Sequence, residues 1–163
     1  MRTIKFRGKK VTNGVWAYGS LVYLDENGAA IYVQTDNGSA KVMDLVYVHP
    51  DTVCQFTGFL DKNGKEIYEG DVLRSDEYPY SCIGDKKRDN YYAVVYYCEE
   101  GACFGTVTAK NPSSDVGGIS DGILDDVERE KMKKFEVVGN IHEENWQQYG
   151  EYFKNEEKEA DND

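Results

Sequence analysis

The sequence is poor in the residues and motifs that carry catalysis. It has two histidines, His49 and His142, and three prolines in 163 residues. No Gly-x-Gly-x-x-Gly or Walker-type loop occurs, so no phosphate cradle is readable, and Gly117-Gly118 reads as loop. Neither histidine has a His or Cys neighbour at ligand spacing, and Cys98 and Cys103 span an expected hairpin turn, so the four groups of a structural zinc are missing. Cys–His nucleophilic catalysis needs an activated thiol with a base in reach, and no local motif supplies one. The four cysteines, Cys54, Cys82, Cys98 and Cys103, read as free thiols of a reducing compartment. No apolar run approaches the length of a membrane-spanning helix. Met1 is followed by a charged, alternating segment, which predicts no secretory signal and a cytoplasmic location. On that reading Asn37-Gly38-Ser39 is a turn and not a glycosylation site. No catalytic residue, cofactor or metal is expected.

What is abundant points to β structure. Thirteen tyrosines suit half-buried pleated surfaces, and sixteen glycines suit tight turns. The length fits one globular unit with a real core. The net charge of −11 is uneven. Arg2, Lys5, Arg7, Lys9 and Lys10 open the chain with no acid among them, while from Glu143 onward eight acids face two lysines. A net negative field repels phosphate backbones, so sequence-independent nucleic-acid binding is disfavoured.

Asn-Gly occurs at 13–14, 27–28, 37–38 and 63–64. This dipeptide favours the centre of a type I′ hairpin turn, and each copy lies between β-prone segments. The series predicts a β-meander over residues 1–50, with strands near 3–7, 15–24, 30–34 and 41–48. Further strands are expected at 52–56, 66–68, 71–74, 91–98, 102–109 and 135–142. The stretch 91–98 (YYAVVYYC) is apolar throughout, as in a strand covered on both sides. Residues 75–90 read as a long polar loop. Ser120 or Asp121 as cap, the apolar Ile123, Leu124 and Val127, and the closing lysines predict one short helix near 120–133. Asp125, Asp126 and Glu128 suit the start of that helix better than a catalytic carboxylate cluster. After residue 146, Trp146, Tyr149, Tyr152 and Phe153 could line a docking face, before a frayed acidic end.

Three motifs carry a family resemblance. Residues 51–72 (DTVCQFTGFLDKNGKEIYEGDV), the opening RTIKFRG at 2–8 and the late FEVVGNIHE at 135–143 together resemble the YopX family of phage and prophage proteins. The resemblance implies a phage or prophage origin in a bacterial host, and a β-rich body with an SH3-like barrel over 51–145 beside the meander of 1–50. Residues 146–163 form the tail. It implies no activity. Gly58, Asp61, Asn63, Gly64, Gly70, Asp71, Gly139 and Asn140 are the positions read as structural. Asn63-Gly64 turns the chain, Gly70 allows φ > 0 or a close approach, and Asp71 accepts backbone N–H groups at the next strand.

The functional expectation is a non-enzymatic module that binds another protein, itself included. One alternative is a nucleic-acid binder using Arg2, Lys5 and Arg7 on the opening strand. If residues 3–7 form a strand, Lys5 and Arg7 share a face opposite Ile4 and Phe6, a pattern that also protects an edge strand from unwanted pairing. The composition also admits an acidic mimic of nucleic acid, or a small hydrolase or metal enzyme.

Overall fold

The computed structural model describes residues 3–25, 28–36, 41–76, 91–99, 101–107, 122–123 and 133–144. The protein is mainly β, with all named strand pairs antiparallel. It divides into two compact units, Met1–Gly58 and Phe59–Asp163.

The first unit contains β1 (Phe6–Lys9), β2 (Trp16–Asp25), β3 (Gly28–Asp36), β4 (Lys41–Val48) and the start of β5 (Cys54–Leu60), with a 3-10 turn at Pro50–Thr52. These strands run in the order β4-β3-β2-β1-β5. One face carries the core: Ala17, Ala29, Ile31 and Val48 are buried, with Phe6, Leu21, Val33, Val46 and Val53 packed against them. The sheet curls on itself, since Lys10 bridges to Val48, with Val11 N–H donating to Tyr47 O and His49 N–H to Lys9 O. Thr52 secures that corner: its Oγ1 accepts from Lys9 N–H at 2.9 Å and donates to His49 O at 2.7 Å.

Two expectations for this unit are corrected. β1 is no edge strand, because it lies between β2 and β5. Its inside-outside order also differs: Arg7 is buried, whereas Ile4 is exposed. The described Asn-Gly turns, at 13–14 and 63–64, are not type I′. Gly14 and Gly64 have φ of 68° and 79°, but neither Asn13 nor Asn63 is among the positive-φ residues. At Asp61, the N–H donates to Lys65 O while its own carbonyl accepts from Gly64 N–H. That is a type I turn closed by a left-handed glycine, which needs one positive φ instead of two. The dipeptides at 27–28 and 37–38 lie partly or wholly outside the described residues.

In the second unit β5 ends and is followed by its hydrogen-bonded neighbour β6 (Glu66–Tyr68). A separate five-stranded sheet has the order β10-β9-β8-β7-β11, formed by β7 (Asp71–Ser75), β8 (Tyr91–Cys98), β9 (Cys103–Val107), β10 (Gly122–Ile123) and β11 (Glu136–Asn140). Its core is Phe59, Ile67, Leu73, Ala93, Val95, Phe104, Phe135 and Val137. β8 is central, yet among its residues of described burial only Ala93 and Val95 are buried, and Tyr97 is exposed. Its unbroken apolar sequence therefore serves one core face and one half-covered face. Among the described residues, no pairing closes this sheet into a barrel. The helix expected near 120–133 falls largely outside the described residues, and Gly122 and Ile123 form β10 against Thr106 and Gly105 instead. Most of the loop expected at 75–90 and all of the tail expected at 146–163 also lie outside them. Among the described residues, no helix is long and apolar enough to cross a membrane.

Candidate functional site

The residues of the middle and late motifs meet in a network internal to the second unit. Asp61 organises its own turn: Oδ1 accepts from Asn63 N–H and Lys65 N–H, both at 2.8 Å. Its other oxygen accepts from Val137 N–H on β11 at 3.0 Å. Lys62 adds an N–H bond to Phe135 O and an ion pair with Glu136 at 2.7 Å. The turn after β5 is thus fastened to β11.

A second knot lies at Gly70-Asp71. Asp71, fully buried, accepts from Tyr68 N–H at 2.8 Å and from Asn140 Nδ2 at 3.2 Å. Asn140 Nδ2 also donates to Glu69 O, and its Oδ1 accepts from His142 N–H at 2.9 Å. Gly70 has φ of 73° and exchanges backbone bonds with both neighbours of β7, its N–H to Val95 O and its O from Ile141 N–H. Gly58 also has a positive φ, 92°, and Gly139 follows an irregularity in the β7–β11 register after Val137. These carboxylates and amides are occupied by backbone groups and by each other, as buried polar groups generally are. Among the described residues, no group of three or more His, Cys, Asp or Glu side chains is placed to hold a metal ion.

The basic opening strand is distributed differently from its sequence reading. Arg7 lies with its guanidinium 4.4 Å from the centre of the Trp16 ring, and Lys9 Nζ stands 5.5 Å from the same ring. Lys5 Nζ is 6.0 Å from the ring of Phe56. The register explains this: Lys9 pairs with Trp16 and Arg7 with Tyr18, which puts these side chains on one face. Arg7 thus serves cation–π packing, while Lys5, Lys9 and Lys10 keep part of their surface. Arg2 lies outside the described residues.

The feature missed from sequence is the outer face of the first unit. Leu45 pairs with Tyr32, Tyr47 with Ala30 and Met43 with Gln34. Tyr18, Tyr32, Met43, Leu45 and Tyr47 are each at least two-fifths exposed, with Tyr47 at 60%. The backbone adds a second element. Tyr47 O is turned to Val11, away from β3, so by the two-residue alternation of an antiparallel ladder Leu45 and Met43 direct their N–H and C=O groups the same way. Among the described residues, no strand pairs there. The signal in the sequence was KVMDLVYV itself, which is apolar on both alternations where a half-covered strand would be polar on one.

A search of the curated proteins gives no match. Among solved structures, the crystal structure of protein EF1440 from Enterococcus faecalis is similar at 20% sequence identity, covering 89% of this chain and 96% of that chain with a TM-score of 0.48. A scan of protein families matches residues 5–145 to YopX protein. That match takes in the middle and late motifs and most of the opening one, and the chain belongs to the YopX family.

Proposed function

We propose that the chain is a non-catalytic protein-interaction module of phage or prophage origin, acting in the cytoplasm of a bacterial host. Its docking site is the side of β4 that faces away from β3, and the occupant is an extended segment of another protein. The observation that carries this reading is the outward backbone of Met43 and Leu45, flanked by exposed Tyr32, Leu45 and Tyr47. An added strand gains main-chain hydrogen bonds from such an edge, and alternate side chains give specificity. The charge of the unit supports an uncharged occupant. Met1–Gly58 holds six basic and five acidic residues, whereas the remainder holds thirteen and twenty-five. The docking segment is therefore apolar at alternate positions and carries little net charge.

Two β4 variants test this. Met43→Pro removes an outward N–H, which an edge strand tolerates, and Leu45→Lys charges the apolar row. A host protein captured by the wild type is expected to be lost by both variants and to protect amides at 41–46 from hydrogen exchange. Capture that survives both variants, or protection confined to other strands, overturns the site. If the purified chain self-associates and Leu45→Lys abolishes this, the occupant is a second copy. A salt-dependent shift with DNA or RNA replaces the reading with nucleic-acid binding.

A further inference from the structure

The β8–β9 hairpin ends in two thiols at directly paired positions. Cys98 and Cys103 are register partners, both half-buried and both free thiols. The preceding pair, Tyr97 and Phe104, meets edge to face with ring centres 5.3 Å apart, and Phe104 is buried in the core. Because side chains alternate along a strand, the two sulfurs belong to the opposite face of the hairpin from Phe104. They also converge. A β-carbon placed on Gly101 would stand 2.9 Å from Cys103 Sγ and 3.6 Å from Cys98 Sγ, so both sulfurs border one point beside the turn. Cys54 differs: it is buried, and its thiol donates to Thr52 O at 3.3 Å.

We propose that Cys98 and Cys103 form a dithiol modification site that closes to a cross-strand disulfide by exchange with a low-molecular-weight disulfide. In the first step one cysteine thiolate attacks a sulfur of that disulfide, forming a mixed disulfide and releasing one small thiolate. In the second, the other cysteine attacks the protein sulfur of the mixed disulfide, forming the Cys98–Cys103 bond and releasing the second small thiolate. Both cysteines are oxidised, the small disulfide is reduced to two thiols, and the two cysteine protons end on the released thiolates. Directly paired strand residues have Cα atoms about 4.5–5.5 Å apart, inside the range a disulfide spans. Their β-carbons, about 4.5–5.5 Å apart across strands, must approach to about 3.5–4.5 Å. Closing that gap strains the bond, and strained exposed disulfides are the readily reduced, switchable kind.

The test exposes the native full chain to oxidised glutathione, blocks remaining thiols and maps the products by peptide mass spectrometry. The Cys98–Cys103 disulfide should exceed mixed disulfides at these two positions by at least about tenfold, because the second step is intramolecular within a formed hairpin. Cys98→Ser should instead hold glutathione at Cys103, and changing Cys54 and Cys82 to Ser should leave the product unaltered. The preference should vanish in denaturant and reverse with dithiothreitol. Stable mixed disulfides at both positions, two thiols that stay open to alkylation, or bonding to Cys54 or Cys82 overturns the proposal.

Discussion

Asp71 and Asn140 lie 69 positions apart in the chain and meet as a buried pair, with Asn140 Nδ2 donating to Asp71 Oδ1 at 3.2 Å. Asp71 also holds Tyr68 N–H, and Asn140 holds His142 N–H. The pair ties the β6–β7 turn to the end of β11, joining the middle motif to the late one.

Removing one partner should cost more than the bond itself is worth. Asp71→Ala leaves Tyr68 N–H buried without its acceptor and the Asn140 amide with Glu69 O alone, a loss of about 2–4 kcal/mol. Asn140→Ala should cost about 1–3 kcal/mol for the same reason. Since the residues touch, the double variant should lose less than the sum of the two, by about 0.5 kcal/mol or more. Urea denaturation of the four proteins measures the cycle, and simple additivity would show that the pair is not coupled.

Gly70→Val should destabilise the protein by about 1–3 kcal/mol through strain at a left-handed φ. The β-carbon meets Asn140 Nδ2 and Ile141 Cγ1, each at 3.1 Å, so the substitution also presses on the pair above. An unchanged denaturation midpoint would refute a structural role for this glycine.

Local features were legible in the sequence because local chemistry decides them. Residues 41–48, 66–68 and 91–98 read as strands from β-prone composition between turn signals, and β4, β6 and β8 occupy those positions. What the sequence left open was which alternation faces inward. Around β1, Ile4, Phe6 and Arg7 allow two assignments, and the choice falls to Trp16, whose ring covers the Arg7 guanidinium. The Asn-Gly dipeptides misled for a related reason. Asn followed by Gly fits a type I turn with a left-handed glycine as well as a type I′ turn, and at 13–14 and 63–64 the chain takes the first. Asp71 and Asn140 are each read within their own motif, since nothing in either points to a partner 69 positions away.

The cysteines of the β8–β9 hairpin should be dispensable for folding. Cys98 and Cys103 are half-buried at the hairpin tip, outside the core cluster of Phe59, Leu73, Val95 and Phe135. Changing Cys98 to Ser and Cys103 to Ala together should shift stability by no more than about 0.5 kcal/mol, as for surface positions. Purified wild-type protein is expected to carry no stoichiometric zinc. A loss of several kcal/mol, or about one metal per chain by elemental analysis, would show a structural thiol site.

Arg7 separates the packing role of the opening strand from a nucleic-acid footprint. The residue is 4% exposed with its guanidinium over Trp16, a desolvated setting in which a cation–π contact contributes about 2 kcal/mol. Arg7→Met keeps much of the side-chain volume while removing the charge, so it should destabilise the first unit by about 1–2 kcal/mol. Lys5 and Lys9 retain part of their surface, and changing both to Gln removes two accessible charges from this segment. A phosphate-binding strand would then lose about one unit of salt slope per lysine in contact, as counterions are no longer released. The expected result is destabilisation by Arg7→Met, and no salt-dependent DNA or RNA binding in the wild type for the lysine changes to weaken. Binding that falls with salt and is lost with Lys5 and Lys9 would restore the nucleic-acid reading. Stability unmoved by Arg7→Met would remove the packing role.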